Sequence, residues 1–420
     1  MLGEFRWHLK ATYTKKDLFM SNNQGNGGTA SRLVLAILAL GVTFIIADTL
    51  VRIAARKAGG VSPETTLLQN DPDIGAVVHV PNSSAITHWR GTAPHPVSFN
   101  AFGFRGPFPL TLEKPEGVIR ILTLGGSSTE GGFVADGKTW PEVLQRELDK
   151  TVGGGKVEVI NLGTSGYSTK TSLANFKKRG LPLKPDMVIL YEANNDFFGY
   201  IQSYLKSELS TDESFIDYES RKASRLEKIL CKSIIIDRIN RHLYSRGGKR
   251  NQVYLREYWS DPNKTLLNLT GVEIPTVHAL QEFEELAKLH GFKLVIGRQA
   301  TLIKPEISEK ELYAMWEILR MRHGGKRLAW SVIMDGLNRV KDAQKQFAKD
   351  NGLTYVDVES VVPKDLEHFI DHVHYSERGE ESVGKAWAVN LIKSERELLR
   401  IAPRLDGEPT GKAITPASNR

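Results

Sequence analysis

Five short apolar runs, separated by helical patterns and closing on small or polar residues, set the tightest limit on how this chain folds. They are VIRILTL (118–124), VEVINL (157–162), MVILY (187–191), FKLVIG (292–297) and LTYVDV (353–358). Continuous apolar runs of this length suit strands buried on both faces. Strands alternating with helices imply a parallel sheet covered on both sides. The expectation is therefore an α/β fold with three layers, α/β/α, around a central parallel five-stranded sheet. The first intervening helix is well signalled at Thr139-Trp140-Pro141-Glu142. Thr139 is placed to cap it, Pro141 sits in the first turn, and Glu142 completes a capping box.

The chain outside this region is of a different character. From Leu33 to Ala47 it reads LVLAILALGVTFIIA without a charge, and Leu50 and Val51 resume the apolar run after Asp48. A bilayer core needs about 20 helical residues, so residues 32–52 are expected to form a transmembrane helix. A buried soluble helix would show a polar face, and this run has none. A cleaved signal peptide fits less well, because the preceding region is long and no clean A-x-A site follows. Five basic residues precede the helix (Arg6, Lys10, Lys15, Lys16, Arg32) and three follow it (Arg52, Arg56, Lys57). That excess favours a cytoplasmic N-terminus and an exported body, periplasmic or extracellular.

Residues 1–31 are polar and read as a disordered tail; residues 58–115 read as an irregular, strand-containing lead-in. The main domain is expected over 116–398, with an insertion at 199–275 and a second disordered tail at 400–420. Within the insertion, Arg221, Lys222, Arg225, Lys228, Lys232, Arg238 and Arg241 accompany Leu226, Leu230 and Ile234 near helical spacing. The plain reading is a solvated helix; the sharper one is a cap that touches anionic polymer or a membrane surface.

Composition closes several classes. The single cysteine, Cys231, rules out an internal disulfide, and there is no CxxC or Cys/His cluster for zinc. The formal charge of +7 over 420 residues permits acidic partners but comes with no nucleic-acid-binding motif, so no nucleic-acid role is expected. No metal or organic cofactor is called for.

Function in open α/β sheets collects at the carboxyl ends of the strands, and four polar blocks fall there. The first is Gly125-Gly126-Ser127-Ser128-Thr129, a sharp turn that exposes a serine hydroxyl and its N–H at a helix start. It does not match GxGxxG, and no Gly-Lys-Ser/Thr follows, which argues against a phosphate loop. The second, Asn161-Leu162-Gly163-Thr164-Ser165-Gly166, offers a glycine N–H that can approach a substrate oxygen. The third, Glu192-Ala193-Asn194-Asn195-Asp196, offers a side-chain amide. The fourth, Asp371-His372-Val373-His374, places a carboxylate three residues before an imidazole, suited to orient a general base. Each block alone is ordinary; their joint order carries the weight.

The pattern resembles the SGNH (GDSL-type) hydrolases, named for Ser, Gly, Asn and His in four separated blocks. The similarity covers about residues 118–395, and the Asn100–Gly106 lead-in looks like that of membrane-anchored bacterial members. It implies a flavodoxin-like SGNH hydrolase fold and a catalytic triad of Ser127, His374 and Asp371. It also implies an oxyanion hole from the N–H groups of Ser127 and Gly166 and the amide of Asn195, with Gly163 the lesser choice for the glycine. His372 and His368 receive no role. Two positions depart from the family pattern: Gly126 stands where Gly-Asp-Ser has aspartate, and Ala193 where Gly-x-Asn-Asp has glycine.

The expected activity is a membrane-anchored serine esterase. Its expected substrate is an acylated carbohydrate or another ester, with O-acetyl on a polysaccharide or envelope glycan leading. An O-acyltransferase with the same triad and a non-catalytic envelope polysaccharide-binding or assembly protein remain open beside it.

Overall fold

The computed structural model describes residues 26–57, 67–87, 93–107, 109–209, 264, 266–315, 318–320, 322–323 and 326–401. The basic stretch of the insertion and most of both expected tails lie outside the described residues.

Helix α1 (Asn26–Lys57) is longer than the 32–52 expected and takes in the end of the expected N-terminal tail. Its segment Ser31–Leu50 has a mean hydropathy of 2.4 and buries nothing against the body. It is long and apolar enough to cross a membrane by length and composition, a test that a signal sequence also meets.

The lead-in forms two antiparallel hairpins. Strands β1 (Leu68–Asp71) and β2 (Ala76–His79) make the first, and β3 (Ser83–Thr87) and β4 (His95–Phe99) make the second. Its end reaches the central sheet, where Arg105 N–H donates to Asn161 O at 3.2 Å.

The central sheet has five parallel strands: β5 (Ile119–Leu124), β6 (Val157–Asn161), β7 (Met187–Leu190), β8 (Lys293–Gly297) and β9 (Thr354–Val356). Their order is β9-β8-β7-β5-β6. All five coincide with the five apolar runs, within two residues at each end. Residues of β5 alternate between layers, as a period of two requires. Ile119 and Ile121 join the core of Trp140, Leu144 and Trp387, while Leu122 and Leu124 join that of Phe176, Phe283 and Leu294. The sheet is thus covered on both faces.

The covering helices range from a single turn to 21 residues. After the single turn α2 (Ser127–Glu130) comes α3 (Trp140–Val152), whose capping box is made: the Glu142 carboxylate accepts from the Thr139 N–H at 3.0 Å and its hydroxyl at 2.8 Å. Then follow α4 (Thr169–Asn175), α5 (Asn194–Leu209), α6 (Thr276–His290), α7 (Glu309–Ala314), α8 (Trp330–Asp350) and α9 (Glu377–Ser394). After Asn175 the chain leaves α geometry and widens into a π turn at Phe176–Gly180. Pro182 then ends it in a short 3-10 turn. Helix α5 carries the chain into the insertion.

Candidate active site

Strand β5 delivers the first block. Gly126 is the N-cap of α2 and Ser127 its first residue, so the serine leaves the sheet at the top of a central strand. The N–H groups of Thr129 and Glu130 both close on Gly126 O at 3.0 Å, and the Thr129 hydroxyl donates to Tyr191 O at 3.2 Å. The turn is thereby fixed to β7 and the serine has little freedom.

The fourth block comes from the other end of the domain. A tight return joins Phe369 to Tyr375, and Ser376 then caps α9 through the Gly379 N–H. Between them Asp371 is almost fully buried. Its Oδ1 accepts from the N–H groups of Val373 at 2.9 Å and His374 at 2.8 Å, and its Oδ2 meets His374 Nδ1 at 2.6 Å. Burial alone would raise this carboxyl, but the neighbouring His374 charge and these hydrogen bonds outweigh it and hold it well below the usual carboxylate range. The opposite ring nitrogen, Nε2, lies 2.5 Å from Ser127 Oγ, across 247 positions of sequence. An ionised carboxylate, an imidazole held through Nδ1 and a serine hydroxyl are therefore aligned in one line of contacts. Phe133 packs against the imidazole with ring centroids 4.2 Å apart. His368 is tied to Asp365 at 2.8 Å, and His372 is buried behind Asp371 at 3.8 Å. Neither points to the serine's hydroxyl contact.

The second and third blocks border the same point. Gly163 is packed against α2, where a Cβ would meet Glu130 N at 2.4 Å, and its N–H is already given to Asn161 Oδ1 at 2.9 Å. Gly166 is exposed, has φ +82°, and faces open space. The N–H groups of Ser127 and Gly166 have no acceptor among the described residues, so Gly166 is the better placed of the two glycines. Asn195 Nδ2 donates to Tyr167 O at 2.9 Å and lies a long 3.5 Å from Glu192 Oε2.

Both departures from the family pattern have local reasons. Ala193 is absent from the residues with positive φ, so no glycine is required there; its N–H and that of Asn194 share Gln299 Oε1 at 2.9 and 2.8 Å. At position 126 a Cβ would stand 2.4 Å from Asn195 Nδ2 and 2.5 Å from Glu192 Oε2. The space is filled by the Glu192 carboxylate, which accepts from Gly126 N–H at 2.8 Å and Asn195 N–H at 2.7 Å. Burial pushes the Glu192 carboxyl up, and the neighbouring Asp196 charge adds to the push. Glu192 and Gln299 were not singled out from sequence. A carboxylate at the end of a strand was visible, but its contact 66 residues earlier was not.

Among the described residues, no group of three or more His, Cys, Asp or Glu side chains is gathered as a metal site.

Comparison with known proteins adds the family. Several solved structures resemble the chain at low identity. Axe2, an acetylxylan esterase from Geobacillus stearothermophilus, is 13% identical over 66% of this chain and 96% of its own, with a TM-score of 0.36. The acetyl xylan esterase AlAXEase is 14% identical over 64% and 99%, with a TM-score of 0.36. A lipolytic protein of the G-D-S-L family from Desulfitobacterium hafniense is 11% identical over 65% and 99%, with a TM-score of 0.35. No curated protein matches the chain. The family model of the GDSL-like lipases and acylhydrolases matches residues 121–294. That span holds Ser127, Gly166 and Asn195 and stops before Asp371 and His374, which the fold alone brings to the serine. Residues 121–294, less than half of the chain, thus resemble a GDSL-like lipase/acylhydrolase domain.

Proposed function

We propose that the chain is a serine esterase working through an acyl-enzyme, with Ser127 as nucleophile, His374 as general base and Asp371 as the group that orients it. The observation that carries this reading is the Ser127 Oγ–His374 Nε2–Asp371 line of contacts at 2.5 and 2.6 Å. His374 Nε2 takes the Ser127 proton as Oγ attacks the ester carbonyl. The N–H groups of Ser127 and Gly166 and the Asn195 amide receive the oxyanion, an interaction worth several kcal/mol in the barrier. The imidazolium returns its proton to the departing alcohol. Water, deprotonated by the same nitrogen, then releases the acid and restores the serine.

The substrate we favour is an O-acetyl group on a polysaccharide or envelope glycan. Two of the solved structures the chain resembles are acetylxylan esterases, but likeness at this level does not transfer a substrate. With α1 spanning the membrane and the basic excess inside, the domain works on the exported face.

Hydrolysis of p-nitrophenyl acetate and release of free acetate from acetylated xylan test the reading. Ser127→Ala is expected to abolish both while leaving the thermal midpoint unchanged. Turnover equal to wild type in that variant sinks the nucleophile. Acetate released only when a sugar acceptor is added would make the enzyme an acyltransferase.

A further inference from the structure

Gly166 owes nothing of its position to a side chain, and its crest is exposed. An oxyanion donor lowers a barrier only if it is already aimed when charge develops, and exposed loops with few contacts wander. Both neighbours of Gly166 are tied down, and both ties lead to one strand of the lead-in.

On one side, the Ser165 N–H donates to Glu130 Oε2 at 2.6 Å. The same oxygen lies 3.4 Å from His79 Nε2, at the end of β2, with both side chains buried. His79 is stacked on Phe99 of β4, ring centroids 3.8 Å apart and planes within 14°. Burial by itself would raise the Glu130 carboxyl; the His79 charge and the Ser165 donors outweigh it and keep it below the usual range. The Ser165 N–H therefore meets an ionised acceptor, a strong form of hydrogen bond.

On the other side, the Tyr167 hydroxyl donates to Val77 O of β2 at 2.6 Å. Its ring is buried with Ile74 and Val78 of the same hairpin. The Tyr167 carbonyl then accepts from Asn195 Nδ2 at 2.9 Å. Two residues of β2, Val77 and His79, thus brace the chain on either side of Gly166, and one brace continues to Asn195.

We propose that the β1–β2 hairpin is a built part of the active site, in which His79 and Tyr167 are positioning residues that hold the Gly166 N–H and the Asn195 amide for the oxyanion. The inference rests on the esterase reading above, because only there does an oxyanion need holding. It assigns the lead-in a task in the reaction, beyond joining the membrane helix to the domain.

The test uses the full-length chain and p-nitrophenyl acetate, with an arylboronic acid as a probe that forms a tetrahedral adduct on the serine. Tyr167→Phe removes one hydroxyl and keeps the ring. His79→Phe keeps the stack on Phe99 and removes the ring nitrogen that faces Glu130. Each is expected to lower kcat by about tenfold, the order of a partly misplaced oxyanion donor, with KM within about twofold. Boronate affinity should fall in parallel with kcat. Unchanged kcat in a folded Tyr167→Phe protein overturns the proposal, as does a rise confined to KM. If His79→Phe does not fold, Tyr167→Phe decides alone. Wild-type turnover that survives Ser127→Ala would instead remove the esterase reading, and the proposal with it.

Discussion

Ser127, Asp371 and His374 stood out in the sequence as candidates because each carries chemistry that few residue types provide, near a strand end where chemistry gathers. What could not be named are the residues they lean on. Glu192 looks like any acid before a loop, yet its carboxylate fills the space a side chain at Gly126 would need. His79 looks like any strand histidine, and its meeting with Glu130 is made only by the docking of the lead-in. Such contacts depend on tertiary placement, which no local pattern encodes. At this scale the proposed triad makes its own prediction. Asp371→Asn keeps the shape but reverses the donor–acceptor match at His374 Nδ1, so kcat should fall by roughly three to four orders of magnitude. KM should stay near wild type, and steady-state kinetics on p-nitrophenyl acetate would check both.

The elements were more legible than their joints. All five strands were readable because buried parallel strands are written as continuous apolar runs, and α3 because its capping box is a local device. The widening at Phe176–Gly180 was hidden, since a single π turn is too short to show a period of its own. The ends of β8 and β9 are held to α8 by a partly buried charged knot that sequence also concealed. Glu359 accepts from Lys341 of α8 at 2.8 Å, from Lys364 at 2.8 Å and from Arg298 after β8 at 2.8 Å. Burial would raise its carboxyl, but Lys341 and Lys364 outweigh that and lower it to about 2. A carboxyl lowered on folding contributes stability that is present above its unfolded value, near 4.5, and lost as pH falls toward about 2. Denaturation midpoints measured between those limits should therefore fall with pH. In Glu359→Gln the same curve should be flatter, starting from a lower plateau because Lys341 is left buried without its partner.

For the molecule as a whole, the lead-in is the part that sequence undervalued: it was read as irregular but strand-containing, and it forms two hairpins, the first of which touches the loop after β6. The apolar helix was plain from its composition, though its two roles, anchor or signal, look alike in the chain. If it is an uncleaved anchor, the full-length protein should stay with membranes through alkaline carbonate washing. Protease added to intact cells with opened outer layers should reach the domain but not the first residues. Loss of the protein to the carbonate supernatant would count against the anchor.

Only ten residues separate Lys57, the last of α1, from Leu68, the first of β1. Fully stretched, that length reaches at most roughly 40 Å. If α1 is an uncleaved anchor, an enzyme on so short a tether samples a thin shell above the bilayer and cannot patrol the bulk. Its turnover is then governed by how densely acylated chains crowd that shell, so a soluble substrate would understate its rate and a surface-bound one would reveal it.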